Sequence, residues 1–216
     1  MGAGILFIAI QTIHPLDVLS SVTTARWIIA HYLGVSMCLL GLLAMTGLYA
    51  RQVKAAGWLG LAGFLLLSLF YTLTMAFQFA EAFISPVLAT EAPKFVQGFL
   101  GIPSGHASEI NLGALPAVYS LLTGLLGYVL GGLLFGIATF RAGILPRWAA
   151  GLLAFGAVSP PLLASLLPHP LDRILAVPMG LALAWLGYAL WSEREETITE
   201  PVLGRANPQL HQTAAE

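Results

Sequence analysis

Charge is what this sequence has least of. Asp, Glu, Lys and Arg make up 9% of its 216 residues, against 58% hydrophobic residues, and the mean hydropathy is +0.86. A soluble domain carries about 25% charged residues. Too few are present to cover a water-facing surface, so the medium around the folded chain is expected to be lipid. In lipid every backbone group must find its partner within the protein, which leaves helices or closed barrels. Barrel strands alternate apolar and polar residues over about ten positions; the unbroken apolar runs here exclude that and predict an all-α bundle. Cysteine is nearly absent as well. Cys38 stands alone, so neither an intrachain disulfide nor a Cys-x-x-Cys metal or redox pair is possible. The net charge of −1 offers no basic surface for nucleic acid. The N-terminus is apolar from Gly2 onward and lacks the positively charged start of a signal peptide.

A helix needs about 20 apolar residues to cross the hydrocarbon core. Five stretches qualify, near Thr24–Ala50, Gly57–Phe83, Leu112–Phe140, Trp148–Leu167 and Ile174–Trp191. A sixth, Gly2–Ile13, is apolar but about half the required length. It has the texture of the end of a span, which suggests a start further upstream. The expected architecture is one polytopic transmembrane domain over 1–191 with about six spans, the first short or truncated. Residues 192–216, with Glu193, Glu195, Glu196 and Glu200, are expected to form a fraying helix end and a disordered cytoplasmic tail. In hydropathy and loop style alone the chain resembles small six-span bacterial membrane proteins, a likeness that assigns no residue a role.

Orientation follows from the basic residues of the short loops. One side carries Arg51, Lys54, Arg141, Arg147, Arg194 and Arg205, the other Arg26, Lys94 and Arg173. The richer side is expected in the cytoplasm, with both termini, in a plasma (inner) membrane. Trp58, Trp148 and Trp191 fall at inner ends of spans and Trp27 at an outer end, the levels an indole prefers. The long outer connection, Ile84–Asn111, is expected to hold a short interfacial helix capped by Thr90, with Glu91 in its first turn, Phe95 and Phe99 on one face, and Gly101 as its stop.

The third span carries the most informative pattern. Tyr71, Thr74, Gln78, Glu81 and Ser85 recur at spacings of three and four, which puts them on one helix face. Polar atoms have no partners in lipid, so this stripe should face the bundle interior or a cavity. Glu81 is the one carboxylate inside a span. In the bland alternative it is a solvated end residue and the stripe is interhelical glue. The second span shows His31, Gly34, Cys38, Gly41 and Met45 on one narrow face, and the fourth has Gly127-xxx-Gly131 and Gly132-xxx-Gly136. Such glycine faces let backbones touch, within one chain or at a seam with a second copy. Ser159-Pro160-Pro161 should bend or break the fifth span and leave carbonyls for Ser159, water or a ligand to satisfy, and Pro178 lies in the outer part of the sixth.

His-Pro-Leu-Asp occurs at His14–Asp17 and again at His169–Asp172, on the same predicted side. A duplicated hairpin would explain this, and so would two turns of like chemistry. His14, His31, His106 and His169 are the weak candidates for a metal site, with no preformed ligand spacing between them. No cofactor is indicated. Haem would need two buried histidines where only His31 lies within a span, retinal would need a lysine within a span, and there is no Gly-x-Ser-x-Gly. The expected function is a non-enzymatic module that binds a lipid or small apolar ligand, or serves as an accessory subunit. The alternatives are a small transporter or channel with an outward-opening polar cavity beside the third span, and an intramembrane enzyme or metal site using outer-side His and Glu. Candidate cavity residues are His31, Tyr71, Thr74, Gln78, Glu81 and Ser159. The expected partners are the bilayer and, through the glycine faces, a homo-oligomer or larger membrane complex.

Overall fold

The computed structural model describes residues 1–167 and 171–206, and among them the chain is helical throughout, with no strand. Three helical stretches are long and apolar enough to cross a membrane: Ala25–Glu91, Leu115–Ala142 and Leu171–Glu193. α1 (Gly2–Ile13) is apolar but has 12 residues. α2 (Ala25–Phe79) continues through a wider π turn, Ala80–Ile84, into α3 (Ser85–Glu91). α4 is Pro93–Leu100 and α5 is Leu115–Ala142, π-wound over Val118–Leu130. α6 (Arg147–Leu163) and α7 (Val177–Ala206) complete the set, linked through 3-10 turns at Ala164–Leu166 and Leu171–Ala176.

The 67-residue stretch from Ala25 to Glu91 would measure about 100 Å if straight, some three times the thickness of a bilayer core. Gly57 breaks it. Its φ of 57° and ψ of −159° are open to glycine and not to an L side chain, and the chain doubles back there. The arms, 25–56 and 58–79, run antiparallel: Gln78 lies on Gly34, Tyr71 on Gly41, and the Phe64 ring stacks 4.6 Å from that of Tyr49. The sequence reading placed Arg51 and Lys54 in a loop; they are helical, because one residue makes the turn. Trp27 and Thr24 start the first arm, the Thr24 hydroxyl accepting from the Trp27 N–H.

α5 packs on α2, α6 on α5 and α7 on α6, and α7 returns onto α1, which also packs on α2. The α2–α5 contact is made by Gly127 on Phe70, Gly131 on Leu67 and Phe135 on Gly63. The opposite flank of α5 meets α6 through Gly132 on Ala157 and Gly136 on Ala150 and Ala154. Gly156 of α6 abuts Met179 of α7, and Gly180 of α7 abuts Gly4 and Ile8 of α1. The helices thus close a ring, and both glycine faces of α5 are used within the chain. Lipid gives helices no hydrophobic drive to associate, so close backbone approach supplies the attraction instead.

The ring has two dissimilar ends. One carries Met1, the Gly57 turn, Arg51, Arg141 and Arg147, with Trp58 and Trp148 over 80% exposed; Arg51 pairs with Glu193 at 2.7 Å. The other carries the α1–α2 connection, α3, α4 and the turns before α7. α4 does not project free. Val96 and Leu100 pack against Trp27 and Val22, and Phe99 stacks on Phe77 and Phe95, so its apolar face covers this end of the bundle. Thr90 does not cap α4. It lies in the last turn of α3, and Pro93 starts α4 after Ala92. Trp27 is no interfacial anchor either, being fully buried. Pro160 and Pro161 sit inside α6 without ending it; the helix passes into a 3-10 turn only after Leu163. Pro178 falls in the first turn of α7, where a missing N–H costs nothing. α7 runs on past Ser192 to Ala206, and the remainder of the expected tail lies outside the described residues.

A methyl added at Gly131 would sit 2.7 Å from the Leu67 nitrogen, whereas at Gly151 it would meet only the Phe140 ring at 3.9 Å. Gly131→Leu is expected to destabilise the bundle by about 3 kcal/mol or to prevent folding, and Gly151→Ala to be neutral or stabilising by up to about 1 kcal/mol. Unfolding midpoints in detergent check both.

Candidate functional site

Inside the ring, towards the α4 end, is a cavity of about 580 Å³. Its deeper wall is apolar, with Phe7 and Ile10 of α1, Met37 and Phe70 of α2, and Val129 of α5. Its other part is polar, with Gln11, Thr74, Gln78, Glu81, Tyr119, Thr123 and Arg173. Two features keep the space open. Gly34 and Gly124 contribute no side chain to it, and the Val118–Leu130 π turns replace regular helix on one of its sides. Wider π turns recur at functional sites in helices.

Glu81 does not reach bulk water. It is 8% exposed, and its Oε2 lies 3.3 Å from Nε2 of the fully buried His31. The His31 Nδ1 is 2.7 Å from the Trp27 carbonyl oxygen. A carbonyl can only accept, so Nδ1 carries the hydrogen and Nε2 is left to face the carboxylate. That contact is attractive when one further proton lies on the pair. Its distance suits an ion pair, but its angles are not those of a hydrogen bond, and Nε2 has no other partner.

The backbone beneath explains how Glu81 comes to be held there. Pro86 has no N–H, and the Ser85 N–H reaches back to the Ala80 oxygen across the π turn. The Glu81 carbonyl is therefore without a donor from its own helix. The Trp27 indole Nε1–H donates to it at 2.8 Å, which fixes the two arms of α2 against each other at this level. The Trp27 ring stacks on His31 with centroids 4.0 Å apart, and the His14 ring lies 4.8 Å from that of His31. His14 approaches Asp17 at 3.8 Å, and Arg173 donates to Asp17 at 3.2 Å. The repeated motif thus meets itself in part: Asp17 of the first copy is bridged to the arginine that follows Asp172 of the second. His169 lies outside the described residues.

A second proline-freed carbonyl lies across the cavity. Pro160 removes the donor for Gly156 O, and the Tyr128 hydroxyl from α5 supplies one at 3.0 Å. Ser159, one of the partners expected for such carbonyls beside water or a ligand, donates instead to Leu175 O at 3.3 Å and does not line the cavity. Of the remaining candidates, Thr74, Gln78 and Glu81 line the space, while His31 stands directly behind Glu81. Tyr71 is buried against Gly41 and faces the packed core. Gln11, Tyr119, Thr123 and Arg173 line the cavity and were not foreseen. Tyr119 and Thr123, four residues apart on α5, offered the helical spacing that would have found them.

Thr74 Oγ1 and Gln78 Oε1 are buried without a hydrogen-bond partner, and so is His31 Nε2. A buried polar atom left unpaired costs about 1–3 kcal/mol, and here three such atoms cluster on neighbouring turns of two packed arms. No group of three or more His, Cys, Asp or Glu side chains able to hold a metal ion occurs among the described residues. His106 is exposed in the connection after α4 and bonds to Ser104 Oγ at 2.8 Å, away from His14 and His31.

His31→Leu would strand the Glu81 carboxylate in an apolar bundle. It is expected to destabilise the protein by about 3–5 kcal/mol, and His31→Leu/Glu81→Leu to recover much of that loss. Trp27→Phe, which leaves the Glu81 carbonyl unpaired, is expected to cost about 1–3 kcal/mol. Unfolding of the solubilised chain measures all three. No known protein family, no characterised protein and no solved structure matches this chain.

Proposed function

We propose that this chain is a multi-pass membrane protein whose bundle binds one small amphiphile in the central cavity, its apolar body against Phe7, Met37 and Phe70 and its polar end at Thr74, Gln78 and Glu81. The observation that carries this reading is a mainly apolar cavity with the polar residues Gln11, Thr74, Gln78 and Glu81 converging in one part of it. An apolar pocket with a few convergent polar groups is the usual form of a small-molecule site.

In this reading the chain crosses the membrane six times, through α1, the two arms of α2, α5, α6 and α7. α1 alone spans about 18 Å, so it covers little more than half of the core. The end bearing Arg51, Arg141, Arg147 and the exposed tryptophans faces the cytoplasm, following the excess of basic residues on that side of plasma-membrane proteins. α4 lies at the opposite interface. A carrier of the same amphiphile is a second reading, favoured by the Glu81–His31 pair. Ionisable groups inside a membrane bundle mark substrate pathways in transporters, and Glu81 lines the cavity with His31 behind it.

The test is native mass spectrometry of the chain extracted in a mild detergent, with organic extraction of the same sample. The wild type is expected to carry a small amphiphile. Gly124→Phe should lose it while remaining folded, because a Cβ at Gly124 meets only the Tyr119 carbonyl oxygen, at 3.4 Å, and the ring would extend into the cavity. Equal occupancy in the two proteins, or none in the wild type, would rule the cavity out as the binding site.

A further inference from the structure

Most of the cavity wall is withdrawn from the protein surface, and three of its four exposed residues lie on one flank. Ser120 and Leu125 of α5, Pro161 of α6 and Pro103 after α4 line the space and are also exposed. Ser120, Leu125 and Pro161 stand on neighbouring helices whose spacing changes along their length. At Gly132 and Gly136, α5 and α6 approach backbone to backbone. Nearer the α4 end they are joined at Tyr128, whose hydroxyl must reach across to the Gly156 carbonyl. The change coincides with the π turns of α5, which take the backbone off the regular helical path, and with the proline pair of α6, which removes two helical hydrogen bonds.

The residues flanking this opening are apolar. Leu121, Leu125, Leu162 and Leu166 are all more than half exposed. An aqueous vestibule would be lined with polar groups, whereas leucines at the flank of a span belong against acyl chains. At the end of the bundle, by contrast, Val96 and Leu100 pack against Trp27 and Phe99 against Phe77, and the Arg173–Asp17 pair forms part of the cavity wall.

From this geometry we infer that the cavity opens sideways into the bilayer between α5 and α6, and that its ligand is a membrane-resident amphiphile reaching Glu81, Gln78 and Thr74 through that flank. The inference rests on the ligand-binding reading of the same cavity and adds the source of the ligand and its route. A molecule already dissolved in the membrane brings its chain in laterally and leaves only its head group to be desolvated at the polar wall. Access from water is narrowed by α4, whose apolar face is packed, and by the charged Arg173–Asp17 pair, which an acyl chain would have to pass.

The probe is a long-chain alcohol with a mid-chain diazirine, dissolved in phosphatidylcholine vesicles holding the full chain. After illumination, adducts are mapped by peptide mass spectrometry. In the wild type they are expected on Met37, Phe70 and Thr123 inside the cavity as well as on the flank at Leu121 and Leu162. Ser120→Trp/Leu125→Trp narrows the opening at two exposed positions, which spares the core, and a thermal midpoint near that of the wild type confirms its fold. This variant should lose the interior adducts and keep those at Leu162. Interior labelling as fast as in the wild type would overturn the lateral route and leave the binding reading standing. So would wild-type interior adducts in detergent micelles but not in vesicles. Absence of interior adducts from the wild type in both media would remove the binding reading and the lateral route with it.

Discussion

In a membrane bundle a backbone carbonyl without a donor cannot turn to water, and two such carbonyls organise this protein. Pro86 and the Ala80–Ile84 turn strip the Glu81 oxygen of a helical partner, and Pro160 strips Gly156. Each is met by an aromatic side chain from the neighbouring helix, Trp27 in one case and Tyr128 in the other. These bonds are cross-braces. They set the spacing between the arms of α2 and between α5 and α6 at the level where the glycine contacts have stopped. The space the braces hold open is the cavity.

The two halves of the bundle therefore follow different physics. Towards the basic end the helices touch through Gly63, Gly131, Gly132 and Gly136, and the interior is filled. Dispersion between close backbones is the main attraction available there, and it requires contact. Towards the α4 end, polar groups replace glycines as the means of association: the Glu81–His31 pair, the His14 and Trp27 rings stacked beside it, and the Arg173–Asp17 bridge from the turn before α7. Polar attachment acts over longer reach and tolerates a gap. The arrangement joins a half in which close backbone contact fixes the positions of the helices to a half that encloses the cavity.

Much of the candidate site was legible as periodicity. The spacing of Thr74, Gln78 and Glu81 states that they share a face, and the scarcity of other charge states that this face must turn inward. His31, Gly34, Cys38 and Gly41 gave the opposing face by the same reasoning, and the two faces do meet, with Gln78 on Gly34 and Tyr71 on Gly41. What periodicity could not supply was depth. Tyr71 and Gln78 lie on the same stripe, yet one is sealed in the core and the other lines the cavity, because the neighbouring side chains come from helices distant in sequence. Trp27 looked like an interfacial anchor for the same reason: its position at a helix start was visible, but the α4 helix that covers it and the carbonyl that it serves were not.

By itself the sequence determined the medium, the helical class and the polar stripe, since composition and spacing are local quantities that fix how a chain must treat lipid and which residues share a helix face. The tertiary structure alone decided that one residue, Gly57, suffices to turn the chain, that Arg173 finds Asp17, and that Tyr128 rather than Ser159 satisfies the carbonyl freed by Pro160. Each of these depends on which helices become neighbours. That choice is set by backbone approach at a handful of glycines, and it brings together residues that no local pattern connects.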